Sequence, residues 1–179
     1  MSSSQVLLVV DMISDYAFPD AEHVTGAVQR AVPAIRRARE IADAADVRVI
    51  YVNDILDDWR CSRSQTLRRA LDGERPDLVE PIAPRDDDAF FFKGRHSAFY
   101  GTLLAHYLST TETERVVFTG QVTEQCILYS AHDAHVREYD VTILRDAVAS
   151  LDDAHGQAAL DMMRANIHAE IVDADDWKP

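Results

Sequence analysis

Residues 116–126 read VVFTGQVTEQC, and this stretch decides the fold of the 179-residue chain. Its β-branched and aromatic run predicts a buried strand over 115–119 that ends at Gly120. Thr123 is a candidate N-cap, and a helical pattern over 124–138 follows it. Cys126 is therefore expected in the first turn of a helix, where the dipole and the backbone N–H groups favour a thiolate and can hold an oxyanion. The alternative is a small cysteine buried at a strand–helix junction.

Strand-like and helix-like segments alternate along the rest of the chain. Strands are predicted at 6–10, 47–52, 89–92, 115–119, 141–144 and 169–172. Helices are predicted at 27–45, 61–71, 101–108, 124–138 and 153–166, and a long loop with three prolines at 73–88. This alternation predicts a parallel sheet covered by helices on both faces. Without repeats or a linker, residues 1–179 are expected to form one α/β domain.

The composition excludes several classes of protein. The chain has 18 basic and 31 acidic residues, and a net charge of −13 argues against a nucleic-acid binder. The opening residues MSSS contain neither a basic nor an apolar signal segment, and no apolar run approaches membrane-spanning length. Cys61 and Cys126 are too few for a disulfide framework. These features favour a protein of the reducing cytoplasm without nucleic-acid or membrane partners.

Three reactive side chains follow predicted strands. Asp11 follows the first strand, Lys93 follows the third, and Cys126 lies just beyond the fourth. Parallel sheets of this kind bind ligands outside the carboxyl ends of their strands, so the three side chains are expected at one site. Taken alone, Asp11 could be a cap and Lys93 a surface lysine. Residues 11–15 contain no glycine, so the Gly-x-Gly-x-x-Gly signature of dinucleotide binding is missing.

An acid, an amine and a thiol together suit nucleophilic attack on an acyl carbon. Asp11 can take the proton of Cys126 and return it to a leaving amine. The charge of Lys93 and the helix terminus predict a thiol pKa below the usual value of about 8.5. The backbone N–H groups of Val122, Thr123 and Cys126 are candidates for the oxyanion hole.

Four stretches in this order resemble the isochorismatase-like cysteine hydrolases, from the first strand to the sixth. They are VVDMISD at 9–15, YVND at 51–54, KGRHSAF at 93–99 and GQVTEQC at 120–126. The resemblance implies a three-layer α/β/α, Rossmann-like fold whose six-stranded parallel sheet has the order 3-2-1-4-5-6. In that order strand three is not beside strand one, so the Lys93 side chain must reach across strand two.

The resemblance also implies a mechanism. Asp11, Lys93 and Cys126 would be the catalytic triad of an amidohydrolase that acts on non-peptide C–N bonds through a covalent thioester. In the family a non-proline cis peptide bond precedes the catalytic loop, and it would map to Val122–Thr123. A non-catalytic binding module on the same fold is the alternative.

Family members act on nicotinamide, N-carbamoylsarcosine, ureidoacrylate, biuret and the lactam antibiotic streptothricin. Nicotinamidases hold a metal with an Asp-x-His motif and a further His, whereas residues 54–60 read DILDDWR and contain no histidine. We therefore expect no metal and no other cofactor, although a nicotinamidase-like amidase stays an alternative. The GQVTEQC loop and the histidine-free segment look most like the streptothricin-hydrolase branch.

Several other side chains near the motifs are candidates for the substrate pocket, because ligand sites are mostly apolar and aromatic. They are Phe18, Asn53, Trp59, Phe99 and Tyr100. Packing in the core or at an interface is the alternative for the aromatic ones. His132 and His135 are spaced to share a helix face, which is more typical of a solvated face than of a metal site. The resemblance, supported by the aromatic residues, predicts a homo-oligomer, either a dimer or a tetramer.

Overall fold

The computed structural model describes residues 4–19, 21–55 and 59–179. Within them, six parallel strands form one sheet of order β3-β2-β1-β4-β5-β6. The strands are β1 (Gln5–Val10), β2 (Arg48–Asp54), β3 (Ala89–Lys93), β4 (Arg115–Gln121), β5 (Asp140–Ala149) and β6 (Glu170–Val172). The predicted fold class and strand order are confirmed.

Helices cover both faces of this sheet. They are α1 (Ala21–Ala44), α2 (Arg63–Leu71), α3 (Pro76–Val79), α4 (Leu104–Thr110), α5 (Leu128–Val136) and α6 (Asp153–Ile167). Successive residues of a strand point to opposite faces of the sheet. In β1, Leu7 and Val9 therefore belong to the hydrophobic core on the α1 side, and Leu8 and Val10 belong to the core on the side of α4, α5 and α6. Among the described helices, none combines the length and apolarity needed to cross a bilayer.

The helix boundaries depart from the sequence prediction on the α1 face. α1 begins at Ala21, six residues before the predicted start, because Ala21 and Val24 are buried although their neighbours are polar. The segment 73–88, predicted as a loop, contains α3 and a 3-10 turn at Glu80–Ile82. Burial of Leu78, Val79 and Ile82 stabilises these short turns against the sheet.

The carboxyl edge of the sheet depends on one glycine. β4 runs to Gln121, two residues past the predicted end, and Gly120 lies inside the strand with a φ of 113°. A Cβ at Gly120 would lie 2.1 Å from the carbonyl oxygen of Val10, so only glycine allows β1 and β4 to come this close. The register of β5 shifts beside this point, and β5 continues to Ala149.

Candidate active site

Asp11 lies directly after β1, and its backbone and side chain are held from both neighbouring strands. Its φ is 55°, in the left-handed region that aspartate tolerates better than most residues. Its N–H donates to the carbonyl of Val52 at 2.9 Å, and its own carbonyl accepts from Nε2 of Gln121 at 2.6 Å. Carboxylate Oδ1 accepts from the N–H of Asp54 at 2.8 Å. The carboxylate is therefore fixed at the point where β1, β2 and β4 meet.

Lys93 is the last residue of β3, and its side chain is fully buried. Its Nζ lies 2.8 Å from Oδ2 of Asp11 and 3.5 Å from Sγ of Cys126. A carboxylate oxygen of Asp54, on β2, lies 3.6 Å from the same Nζ. The long side chain thus crosses β2 to reach the end of β1, as the predicted strand order requires.

Cys126 belongs to a π-helical turn, Thr123–Ile127, that leads into α5. Val122 occupies the N-cap position, so the prediction that Thr123 caps this helix is wrong. The Thr123 hydroxyl is buried instead, with no hydrogen-bond partner among the described residues. The extra residue in a π turn rotates the following side chains, and the Cys126 thiol faces the sheet edge while only 8% exposed.

The cis peptide bond lies one residue earlier than the resemblance indicates, between Gln121 and Val122 rather than between Val122 and Thr123. Gln121 is the last residue of β4, so the bond lies at the end of the strand itself rather than in the loop that follows it. In the turn that follows, the N–H groups of Gln125 and Ile127 donate to the Val122 carbonyl at 3.0 and 3.1 Å. These two groups are therefore engaged inside the turn.

Burial and neighbouring charges together set the pKa values of the three groups. Burial raises the pKa of Asp11 above the usual value, and the nearby charge of Lys93 opposes this only in part. Burial alone would lower the pKa of Lys93, but the charges of Asp11, Cys126 and Asp54 outweigh it and raise that pKa. Lys93 therefore keeps its proton, and Asp11 binds a proton more readily than an ordinary carboxylate does.

The thiol itself differs from the sequence prediction. Burial, followed by the negative charge of Asp11, raises the pKa of Cys126 to about 12, against the opposing effect of Lys93. The predicted low thiol pKa is wrong because the sequence shows a helix terminus and a lysine but not the depth of burial. Cys126 is therefore a neutral thiol at neutral pH.

A cavity of about 330 Å³ opens onto Asp11 and Cys126. Its lining includes Asp11, Ser14, Phe18, Val24, Asn53, Asp54, His96, Gln121, Val122, Gln125, Cys126 and Leu151. Two of the predicted pocket residues, Phe18 and Asn53, lie here. Asn53 also ties the loop after β1 to β2, because its side chain accepts from the N–H of Ile13 and donates to the Ile13 carbonyl, each at 3.0 Å.

The other three predicted pocket residues lie elsewhere. Trp59 and Tyr100 line a neighbouring cavity of about 410 Å³ that also touches Lys93. Phe99 is buried, with its ring 6.4 Å from that of Tyr139 and under the guanidinium of Arg137. Phe99 is therefore a core residue, because the chain turns after 97 and points its ring inward.

The sequence analysis did not single out His96, which the structure brings to the site. Its Nδ1 lies 3.8 Å from Sγ of Cys126. The signal was present, since His96 follows Lys93 by three residues at the same sheet edge. The two histidines that the sequence analysis did consider, His132 and His135, are exposed on α5.

The residues at the site do not fit the metal centre described for nicotinamidases. No cluster of three or more His, Cys, Asp or Glu side chains suited to a metal ion occurs in the described ranges 4–19, 21–55 and 59–179. Asp54 lies against the Lys93 ammonium, which would repel a cation. Asp57 and Asp58, the other acids of the histidine-free segment, lie outside the described residues.

Comparison with known proteins gives a consistent result. A family model described as an isochorismatase domain matches residues 5–176. The uncharacterized isochorismatase family protein YaaI of Bacillus subtilis (strain 168) is 34% identical over 170 residues, which cover 95% of this chain and 94% of that protein. The ureidoacrylate amidohydrolase RutB of Caulobacter vibrioides is 27% identical over 169 residues, covering 79% and 75%.

A solved structure is similar to this chain over almost its whole length. The crystal structure of a cysteine hydrolase from Pseudomonas syringae pv. phaseolicola 1448A superposes with a TM-score of 0.78 at 26% identity. The match covers 97% of this chain and 90% of that one.

Proposed function

This chain belongs to the isochorismatase family, and from that premise we propose that it is a cysteine amidohydrolase that cleaves C–N bonds of small molecules. Asp11, Lys93 and Cys126 are its catalytic triad in this proposal. The observation that carries the proposal is their convergence, with Nζ of Lys93 2.8 Å from Asp11 and 3.5 Å from the Cys126 sulfur beside an open cavity. Carboxylate, ammonium and thiol within contact distance form the machinery that acyl transfer needs.

The first half-reaction uses a thiol that keeps its proton until the substrate is bound. As Sγ of Cys126 attacks the carbonyl carbon, its proton passes to Asp11, whose raised pKa makes it a better base than an ordinary carboxylate. Lys93 stays charged and stabilises the negative charge that moves between sulfur and carboxylate. Backbone N–H groups of Val122, Thr123 and Cys126 are proposed to hold the oxyanion. Collapse breaks the C–N bond, the amine leaves with the proton from Asp11, and a thioester remains.

The size of the cavity limits the substrate. A volume of about 330 Å³ is at the small end for ligand sites, which favours a compact amide, ureide or lactam. The names of the relatives point the same way, since one is a ureidoacrylate amidohydrolase and another a cysteine hydrolase. A streptothricin-type lactam, suggested by the GQVTEQC loop, belongs in the same test.

An activity screen over linear ureides, primary carboxamides and lactams tests this proposal. We expect at least one class to release ammonia or an amine with the unmodified protein and with Cys61→Ser, the matched cysteine control. Cys126→Ala is expected to abolish release while still binding the substrate. Turnover that persists in Cys126→Ala would contradict the proposal. Ligand binding without turnover in any variant would favour the non-catalytic binding module instead.

Two proposals about the whole molecule follow from the resemblance. Residues 1–179 are proposed to form one domain that assembles into a homodimer or homotetramer. Trp59 and Tyr100 support assembly, because their rings are 83% and 66% exposed next to the site. Light scattering at micromolar concentration tests this, and a mass of 20.1 kDa would contradict it.

A further inference from the structure

His96 stands at the mouth of the catalytic cavity with its ring held in place. It follows β3, it is exposed, and its Nδ1 contacts the Cys126 sulfur at 3.8 Å. Its ring stacks against that of Tyr129 on α5, with a centroid distance of 5.5 Å and an interplanar angle of 20°. An imidazole that is both oriented by stacking and within reach of a nucleophilic sulfur is placed to exchange protons with that sulfur.

The two other ionisable groups nearest the sulfur, Asp11 and Lys93, are paired with each other. Oδ1 of Asp11 accepts from the N–H of Asp54, and Oδ2 is paired with the Lys93 ammonium at 2.8 Å. Lys93 carries a full set of protons and cannot accept another. The titratable groups that line the cavity are Asp11, Asp54, His96 and Cys126. Asp54 is partly exposed but lies 3.6 Å from the Lys93 ammonium, whereas His96 is exposed and contacts the sulfur.

We propose that His96 is the acid–base residue of the second half-reaction, the hydrolysis of the Cys126 thioester. This proposal rests on the proposed function. With the proton of the neutral ring on Nε2, Nδ1 takes a proton from water as the water oxygen bonds to the carbonyl carbon. The tetrahedral intermediate then collapses, the C–S bond breaks, and the imidazolium returns that proton to the departing sulfur. A carboxylic acid and a neutral thiol result, and the histidine is neutral again.

The environment of the sulfur explains why such a donor is needed. Burial and Asp11 raise the pKa of the thiol to about 12, so a bare thiolate is a poor leaving group here. In the first half-reaction Asp11 delivers its proton to the leaving amine and ends as a carboxylate. The second half-reaction therefore begins with Asp11 as a carboxylate paired with the Lys93 ammonium, and the imidazole can carry a proton from the water to the sulfur.

The test separates acylation from deacylation with p-nitrophenyl acetate as the probe. Its p-nitrophenolate leaves without needing a proton, so formation of acetyl-Cys126 does not require an acid. In His96→Phe, which keeps a ring to stack on Tyr129, we expect a burst of one p-nitrophenolate per site. Steady-state turnover should then fall by about tenfold or more, and mass spectrometry should find acetyl-Cys126 accumulating. His96→Gln, which keeps hydrogen bonding but not proton transfer, should behave alike, and His135→Phe is the control.

Wild-type deacylation rates in both His96 variants would overturn the inference, and so would a loss confined to acylation. If His96→Phe fails to fold, as judged by circular dichroism, His96→Gln decides the question alone. Failure of the proposed function looks different, because no acetyl group would then appear on Cys126 in the wild-type protein or in any variant.

Discussion

A buried ion pair lies at each end of β3, and the two ends differ in what surrounds the pair. At the start, Asp88 pairs with Arg39 of α1 at 3.0 Å. At the end, Lys93 pairs with Asp11 at 2.8 Å. Both pairs join a strand to a neighbouring element, and both cations are almost fully buried. Ion pairing alone therefore does not mark a reactive site.

At the start of β3, Arg39 and Asp88 make further contacts with the surrounding backbone and with an aromatic ring. Arg39 also donates to the carbonyl of Ala83 at 2.7 Å and lies over the ring of Tyr51. The carboxylate of Asp88 accepts from the N–H of Arg85 at 2.7 Å. The pair at the other end instead has a thiol 3.5 Å from its cation and a cavity beside it. The added nucleophile and the open cavity, rather than the buried charge, therefore distinguish the candidate active site.

The largest expected effect comes from removing one carboxylate at each end. Asp11→Asn removes the proton acceptor, and we expect turnover to fall by about 10³-fold. Asp88→Asn should leave the turnover of folded protein within about twofold, since it removes only a structural charge. Steady-state kinetics on both variants checks this. Equal losses of turnover in the two folded variants would show that the Asp11 carboxylate has no special role in the reaction.

The pair at the start of β3 should matter for stability rather than for turnover. Arg39→Met leaves Asp88 buried without its cation, and the free energy of unfolding should fall by about 3–5 kcal/mol. Arg36→Met on the same helix removes only an exposed pair with Glu40 and should change it by less than about 1 kcal/mol. Urea unfolding measures both. A loss below 1 kcal/mol for Arg39→Met would show that this pair does not hold α1 to β3.

The pH dependence of thiol labelling tests how burial and charge set the pKa of Cys126 at the Lys93 end of β3. With a thiol pKa of about 12, Cys126 should react slowly with iodoacetamide at pH 7, and its labelling rate should keep rising into the alkaline range. Asp11→Asn removes a negative charge, so the thiol pKa should fall and labelling at pH 8 should speed up. Lys93→Met removes a positive charge and should act in the opposite direction. A wild-type labelling midpoint below pH 8.5 would contradict the role given to burial.

The smallest expected effect is that of a chelator. Asp54 lies against the Lys93 ammonium, and the described residues contain no group of three or more His, Cys, Asp or Glu side chains that could hold a metal ion. Activity should therefore be the same before and after treatment with EDTA. Loss of activity that zinc restores would show that a metal takes part.

The sequence allowed the sheet and the convergence of Asp11, Lys93 and Cys126 to be predicted, and the reasons are local. Continuous apolar runs identify buried parallel strands; Asp11 and Lys93 stand where such a run ends, and Cys126 lies in the turn just beyond one. Gly120 looked like a strand terminator, because a sequence does not reveal that Val10 lies 2.1 Å from where its Cβ would be. Contacts between distant segments decide such positions.

The chemistry of the site was less predictable than its location. The raised thiol pKa comes first from burial and then from the negative charge of Asp11, and the sequence shows neither. His96 becomes relevant only because the chain after β3 turns its ring toward the sulfur and Tyr129 supports it. Phe99, three residues later, turns inward instead and is core. The direction of each side chain after a strand end is a property of tertiary packing.

The proposed mechanism requires a covalent acyl-enzyme at Cys126, and a rapid-quench experiment detects it directly. Protein mixed with a substrate from the screen is quenched in acid within milliseconds, digested and analysed by mass spectrometry, with Cys126→Ala as the control. We expect the acyl group of the substrate on Cys126, none on Cys61, and neither adduct nor turnover in Cys126→Ala. Full turnover by Cys126→Ala, or an acyl group found only on Cys61, would contradict the account.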